Sequence, residues 1–236
     1  MVILLERNLE KLRKKVINMN YFDKYKAVNM PYGKTLADHT ITASKESAYR
    51  SFISSPTLKQ VEINDVEQNS IVSIYQRDYF DRTFLLEPES KYADLGNYIK
   101  YKNYTYLVMK SNDDDIYPTL YGKLCNEDFK VPIKTIRKKV VDHRGNVKYV
   151  DEIEYENVPI VADVKGYSIS DNAVLPLTEG RVIIYLRYKQ EYVDKIRLNY
   201  EFELFNDAYK ISDIQLENIV NDKGYITLSA QKVSEN

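Results

Sequence analysis

Two histidines, one cysteine and a run of aspartates are the side chains with most chemical potential in this 236-residue sequence. His39 and His143 each follow an aspartate, as Asp38-His39 and Asp142-His143. A Ser-His-Asp arrangement needs a nucleophile held beside its base by the fold. His143 falls in a predicted hairpin turn and His39 in a segment without clear periodicity, and neither place preorganises a site. A zinc site wants three or four Cys or His ligands, and Cys125, His39 and His143 lie far apart in the chain. The triplet Asp113, Asp114 and Asp115 offers carboxylates to calcium, but it lacks the spacing and the glycine of a calcium loop. It reads as a solvated loop tip, a candidate for loop contacts. Gly33-Lys34-Thr35 copies the end of a Walker A loop, yet the place of its first glycine is taken by Val28. Seven glycines in all leave little material for a dinucleotide fold. No catalytic residue, metal ligand or cofactor is assigned, and the chain is expected not to be an enzyme.

Charge narrows the partners. Lys and Arg total 34 against 35 Asp and Glu, a net charge of -1, without the cationic excess of a general nucleic-acid or membrane-surface binder. The one cationic run is Lys134, Arg137, Lys138 and Lys139. On a strand it gives about two or three phosphate contacts, a weak and salt-sensitive affinity. A strand edge charged to block pairing is the better use of it. A single cysteine excludes an intrachain disulfide, and Val2 to Leu5 is too short for a signal or a membrane span. Composition therefore suggests a soluble, globular, unprocessed chain. Its 22 tyrosines, 7 phenylalanines and no tryptophan make the aromatic content amphipathic, suited to strands and contact surfaces.

The elements that position these residues are mainly β. Leu5, Leu9, Leu12, Val16 and Met19 form one apolar stripe at helical spacing. Such a helix packs on its own domain or serves as an arm for a neighbouring subunit. Residues 21 to 60 read as an extended or loosely helical connection, with a short helix over Ser44 to Phe52 ended by Ser54-Ser55-Pro56. From Val61 the period changes to two, and a β meander runs to Leu124. A long hairpin is expected over 137–155, turning at Arg144, Gly145 and Asn146, followed by strands over Val158 to Val164, Val182 to Leu186, Ile196 to Phe205, Tyr209 to Ile214 and Tyr225 to Leu228. Domains are thus expected at 1–60, 61–130 and 131–236. The fold class is mainly β, with two small tandem β-barrel or β-sandwich modules, an N-terminal amphipathic helix and a long β-hairpin. Two likenesses point to a repeat: residues 72–77 with 183–187, and 98–124 with 202–228.

Several segments look familiar together. These are Ser55-Pro56-Thr57, Arg82 to Pro88, Gly96-Asn97-Tyr98-Ile99, Tyr104 to Met109 and Tyr121 to Asn126. The second half adds Glu179 to Ile184, Ala208 to Ile214 and Gly224 to Leu228. Over about residues 55–230 the chain resembles the neck, head-completion or stopper-like structural proteins that join head to tail in tailed bacteriophages. The resemblance implies a virion protein assembled in the host cytoplasm, a homo-oligomer forming a dodecameric ring between portal and tail. Its partners would be the portal or an adaptor protein, tail proteins, and double-stranded DNA that passes without sequence-specific binding and is retained after packaging. No membrane partner is implied. A near-neutral lumen suits sliding DNA, because tight phosphate contacts would stall it. Candidate assembly contacts are Leu5, Leu9, Leu12 and Val16 on the helix and Arg144, Gly145 and Asn146 on the hairpin. The alternatives are a tail or tail-tip adaptor and, from another class, a hydrolase with an unrecognised site. A concave pocket with converging polar groups would favour the hydrolase.

Overall fold

Alternation of burial is clearest in one central strand of the molecule. In Arg181–Arg187 the inward residues Val182, Ile184 and Leu186 are fully buried while their neighbours are only half-covered. The computed structural model describes residues 21–30, 35–75, 78–141, 147–164 and 180–233. The predicted helix carrying Leu5, Leu9, Leu12 and Val16, and the turn residues Arg144, Gly145 and Asn146, lie outside the described residues.

Residues up to Ser54 form one compact unit and the rest a second. The first unit holds α1 (Tyr21–Asn29) and α2 (Leu36–Ile53). The stretch expected to be an extended or loosely helical connection thus holds two regular helices, and α2 is twice the length of the helix expected over Ser44 to Phe52. The reason is local. Thr35 caps the helix through Oγ1, which accepts from the Asp38 N–H, while the Asp38 carboxylate accepts from the Thr35 N–H. No glycine or proline follows until Pro56. His39 therefore sits in the first turn of a regular helix, not in an unstructured segment.

Among the described residues the second unit contains thirteen strands in two barrel-like sheets, so the chain is mainly β with two tandem modules. The first module comprises β1 (Leu58–Ile63), β2 (Val66–Tyr75), β3 (Asp78–Leu86), β4 (Tyr98–Tyr101), β5 (Tyr104–Asn112) and β6 (Thr119–Leu124). They pair in the order β1-β2-β3-β6-β5-β4, and an antiparallel β1–β4 contact closes the barrel. Ile63, Phe84, Leu86, Ile99 and Leu120 fill it, with Tyr106 edge-on to Phe84. Gly122 makes room for Phe84, since a Cβ there would come within 2.9 Å of its ring.

The second module comprises β7 (Glu127–Val141), β8 (Val147–Val164), β9 (Arg181–Arg187), β10 (Glu201–Leu204), β11 (Asp207–Gln215), β12 (Ile219–Val220) and β13 (Lys223–Lys232), with a short α3 (Gln190–Lys195). Its order, β7-β8-β9-β13-β11-β10, repeats that of the first module strand for strand. The likeness of 98–124 to 202–228 therefore pairs equivalent elements, β4-β5-β6 with β10-β11-β13. That of 72–77 to 183–187 pairs β2 with β9, which hold different places. Here β7 and β10 meet through side chains, with the Phe129 and Phe202 rings 5.0 Å apart.

Two further expectations change. The hairpin spans 127–164 rather than 137–155 and absorbs the separately predicted Val158 to Val164 run. The predicted strand over Ile196 to Phe205 is confined to Glu201–Leu204, because α3 and a turn through Asn199, at φ 65°, occupy the preceding residues.

The modules touch closely. Gly96, at φ 75°, lies against the backbone of Gly224, and a Cβ on Gly96 would stand 1.7 Å from the Gly224 carbonyl oxygen. Lys223 pairs with Asp94 at 2.8 Å and Lys123 with Asp163 at 2.7 Å. The Asn126 side chain holds both backbone groups of Ala162 at 2.8 Å. Gly96→Ala should therefore cost about 3 kcal/mol, through backbone strain and displacement of a neighbouring main chain. Chemical denaturation measures it, and an unchanged midpoint would show that the two backbones separate freely.

Candidate assembly surface

The second module leaves one element only half inside its sheet. β8 pairs with β9 over Val161–Val164 alone, whereas β7 and β8 pair along nearly their whole length. Above that short ladder the two strands continue as a two-stranded ribbon, residues 133–141 against 147–155. Among the described residues no strand pairs with its outer edges.

Tyr98 sits where the ribbon leaves the sheet. The β8–β9 register places Arg187 opposite Pro159, where a ladder bond from the Arg187 N–H to the Pro159 carbonyl would come next. The Tyr98 hydroxyl is inserted there instead. It accepts from the Arg187 N–H at 3.3 Å and donates to the Pro159 carbonyl at 2.5 Å. Its ring packs against the core of the second module although it belongs to β4 of the first. Burial pushes the Tyr98 phenol well above its ordinary value. Beside it Asn64 accepts from the Arg187 guanidinium at 3.0 Å and donates to Asn97 at 2.8 Å, and Asn97 donates to the Tyr92 carbonyl at 3.0 Å. This network anchors the base of the ribbon.

Both faces of the ribbon mix apolar and charged side chains. By strand alternation Val147, Tyr149, Ile153 and Tyr155 share one face with Asp151 and Arg137, and the four apolar or aromatic side chains are exposed, Tyr149 to 65%. The opposite face sets Lys134 across from Glu154 and Ile136 across from Glu152. The run Lys134 to Lys139 is thus the basic strand of a pair whose other strand is acidic. Arg137 meets Asp151 at 3.4 Å and Lys138 meets Glu152 at 3.0 Å. Both pairs are well exposed and contribute little to stability.

The other sequence candidates have structural roles. Asp114 accepts from the N–H groups of Ile116 and Tyr117 at 2.7 and 2.8 Å, which lowers its carboxyl pKa and closes the loop tip. No group of metal-ligating side chains occurs among the described residues. Cys125 is half-buried, and desolvation, with the nearby Asp128 charge, pushes its thiol up from 9.0 to about 12, away from thiolate chemistry. A cavity of about 230 Å³ lies between Tyr98, Lys100, Glu156, Arg187 and Lys189. Its charged groups are engaged with one another or with neighbours: Lys100 with Asp65 at 2.7 Å, and Lys189 with Glu156 at 3.0 Å. Sequence reasoning missed Tyr98, Asn64 and Arg187. One tyrosine among 22 carries no local mark of such a role.

Two outcomes follow. Tyr98→Phe leaves the Arg187 N–H and the Pro159 carbonyl without their bridge, at an expected cost of about 1–3 kcal/mol in thermal or denaturant unfolding. An unchanged stability would mean that β8 and β9 close the gap directly. The raised thiol and phenol stay neutral in the folded chain at pH values where the unfolded chain ionises them. Their stabilisation is complete below about pH 9 and is lost as pH rises, first through Cys125 between 9.0 and about 12, with Tyr98 adding above 10.0. Melting temperature against pH should fall across that window, and Cys125→Ala should flatten its onset. A flat profile in the unmodified chain contradicts both shifts.

No curated protein and no solved structure matches the chain. Residues 127–231, from the first residue of β7 to the penultimate residue of β13, are similar to the YomX C-terminal domain, a phage-derived family.

Proposed function

We propose that this chain is a virion structural protein of a tailed phage, a component of the neck. In this reading it forms a ring between portal and tail through which DNA passes, and it helps retain the packaged genome. The observation that carries the reading is the ribbon, whose outer edges are unpaired among the described residues, which exposes Val147, Tyr149, Ile153 and Tyr155 on one face, and which Tyr98 anchors at its base to the first module. Isolated two-stranded ribbons are marginal in water, so such an element gains from packing on a neighbour. The phage-derived character of the matching domain supports it. So does α1, whose Tyr21, Phe22, Tyr25 and Val28 are all exposed. The net charge of -1 is compatible with a channel along which DNA slides. In the junction cavity the polar groups bond to one another, which gives a substrate little to displace.

Cryo-electron microscopy of the phage particle, with no symmetry imposed on the neck, tests the proposal. The expected result is a ring of this chain between portal and tail, with peptide mass spectrometry of purified particles detecting it. Its absence from particles overturns the neck assignment. A position at the tail tip replaces that assignment with the adaptor role.

A further inference from the structure

We propose that the ribbon joins copies of this chain edge to edge, the basic β7 edge of one copy pairing with the acidic β8 edge of the next. The inference rests on the ring-forming reading above and names the contact that would build the ring. Its first ground is that, among the described residues, no strand pairs with the outer hydrogen-bonding edges of 133–141 and 147–155, a template for strand addition. The second is the sign of the charges. Residues 133–141 carry four cations, Lys134, Arg137, Lys138 and Lys139, and no anion. Residues 147–155 carry three anions, Asp151, Glu152 and Glu154, against one cation, Lys148.

This separation selects among the ways two ribbons can meet. A two-fold contact of β7 with β7 sets cations against cations, and one of β8 with β8 sets anions against anions. Like charges across neighbouring strands are destabilising. Only β7 against β8 brings opposite signs together, so the pattern both favours one contact and rejects its competitors. That contact uses two different surfaces, and repeated by rotation it generates a ring. The strand directions agree. Within a copy β7 and β8 run antiparallel, so copies arranged around an axis present β7, β8, β7, β8 as a continuous antiparallel sheet. Each acidic strand then lies between two basic ones. The exposed intrachain pairs Arg137–Asp151 and Lys138–Glu152 need not be broken, because each carboxylate has room to accept from both sides.

The test uses the full chain and three charge variants. One reverses β7 (Arg137→Glu, Lys138→Glu, Lys139→Glu), one reverses β8 (Asp151→Lys, Glu152→Lys, Glu154→Lys), and the third carries all six changes and keeps opposite signs within each ribbon. Size-exclusion chromatography with light scattering, and native mass spectrometry, read the assemblies, with circular dichroism checking the fold. The wild-type chain should form a closed oligomer. Each single-strand reversal should lose it, and the two mixed should co-assemble with alternating composition. The six-fold variant should assemble alone yet stay out of wild-type oligomers. A monomeric wild-type chain, or free mixing of the six-fold variant with wild type, overturns edge pairing. Either result leaves the neck reading to the particle map, whereas absence from particles ends the neck reading and leaves the edge contact to these data.

Discussion

One hydroxyl decides where the second sheet ends and the ribbon begins. Pro159 has no N–H to give, and its carbonyl faces the position where Arg187 of β9 would continue the ladder. By bonding to both, Tyr98 satisfies the last donor and acceptor while keeping the strands apart. A hydroxyl both donates and accepts, so tyrosine fits this place where phenylalanine does not. Because Tyr98 comes from the first module, the same contact fixes the root of the ribbon to that barrel. Ala162, Asp163 and Val161 lie immediately along β8 and are also held, through Asn126, Lys123 and the β9 ladder. The ribbon is therefore projected from a clamped base, which an edge contact of defined register requires.

The repeated strand order gives this device a structural origin. In the first module the hairpin equivalent to the ribbon, β1–β2, is short, and β1 uses its second edge to close the barrel on β4. In the second, β7 and β8 are 15 and 18 residues long, and β7 has no ladder to β10. Near its start β7 reaches β10 through Phe129 and Phe202, which seals the core without pairing main chains. Elongation and the missing β7–β10 ladder together leave the outer edges unpaired among the described residues. The bulge between Pro132 and Lys134 lies just where the strand passes from buried Val131 to the exposed ribbon.

Much of this was legible in the sequence, and the failures have physical causes. Runs of β-branched and aromatic residues located β9, β11 and β13, because these side chains fill the core side of each strand, as Val182, Ile184, Leu186, Tyr209, Ile211, Ile226 and Leu228 do. Asn221 and Asp222 take φ of 50° and 59° in the turn before β13, as an Asn-Asp pair favours, whereas the hairpin turn at Arg144, Gly145 and Asn146 lies outside the described residues. The helix α2 was understated, since its early part is too polar to show an apolar stripe and its capping box went unread. The strand predicted from Ile196 failed because apolar residues there, Ile196 among them, pack on the core from a turn and not from a ladder. Tyr98 was invisible for a different reason. Its role depends on partners 61 and 89 residues away.

Near-neutral composition conceals the feature that matters most for assembly. The chain's charges almost cancel, yet they do so partly by setting a basic strand beside an acidic one. Net charge governs long-range attraction to DNA, which this arrangement keeps weak, while local separation governs which strand edges tolerate each other. Proteins often charge an edge strand to prevent pairing. A single sign on both edges would do that for every copy. Opposite signs on the two edges oppose only like-with-like contacts and leave a head-to-tail contact open, so under the proposed edge pairing the residues that oppose random aggregation are the ones that would select one ordered neighbour.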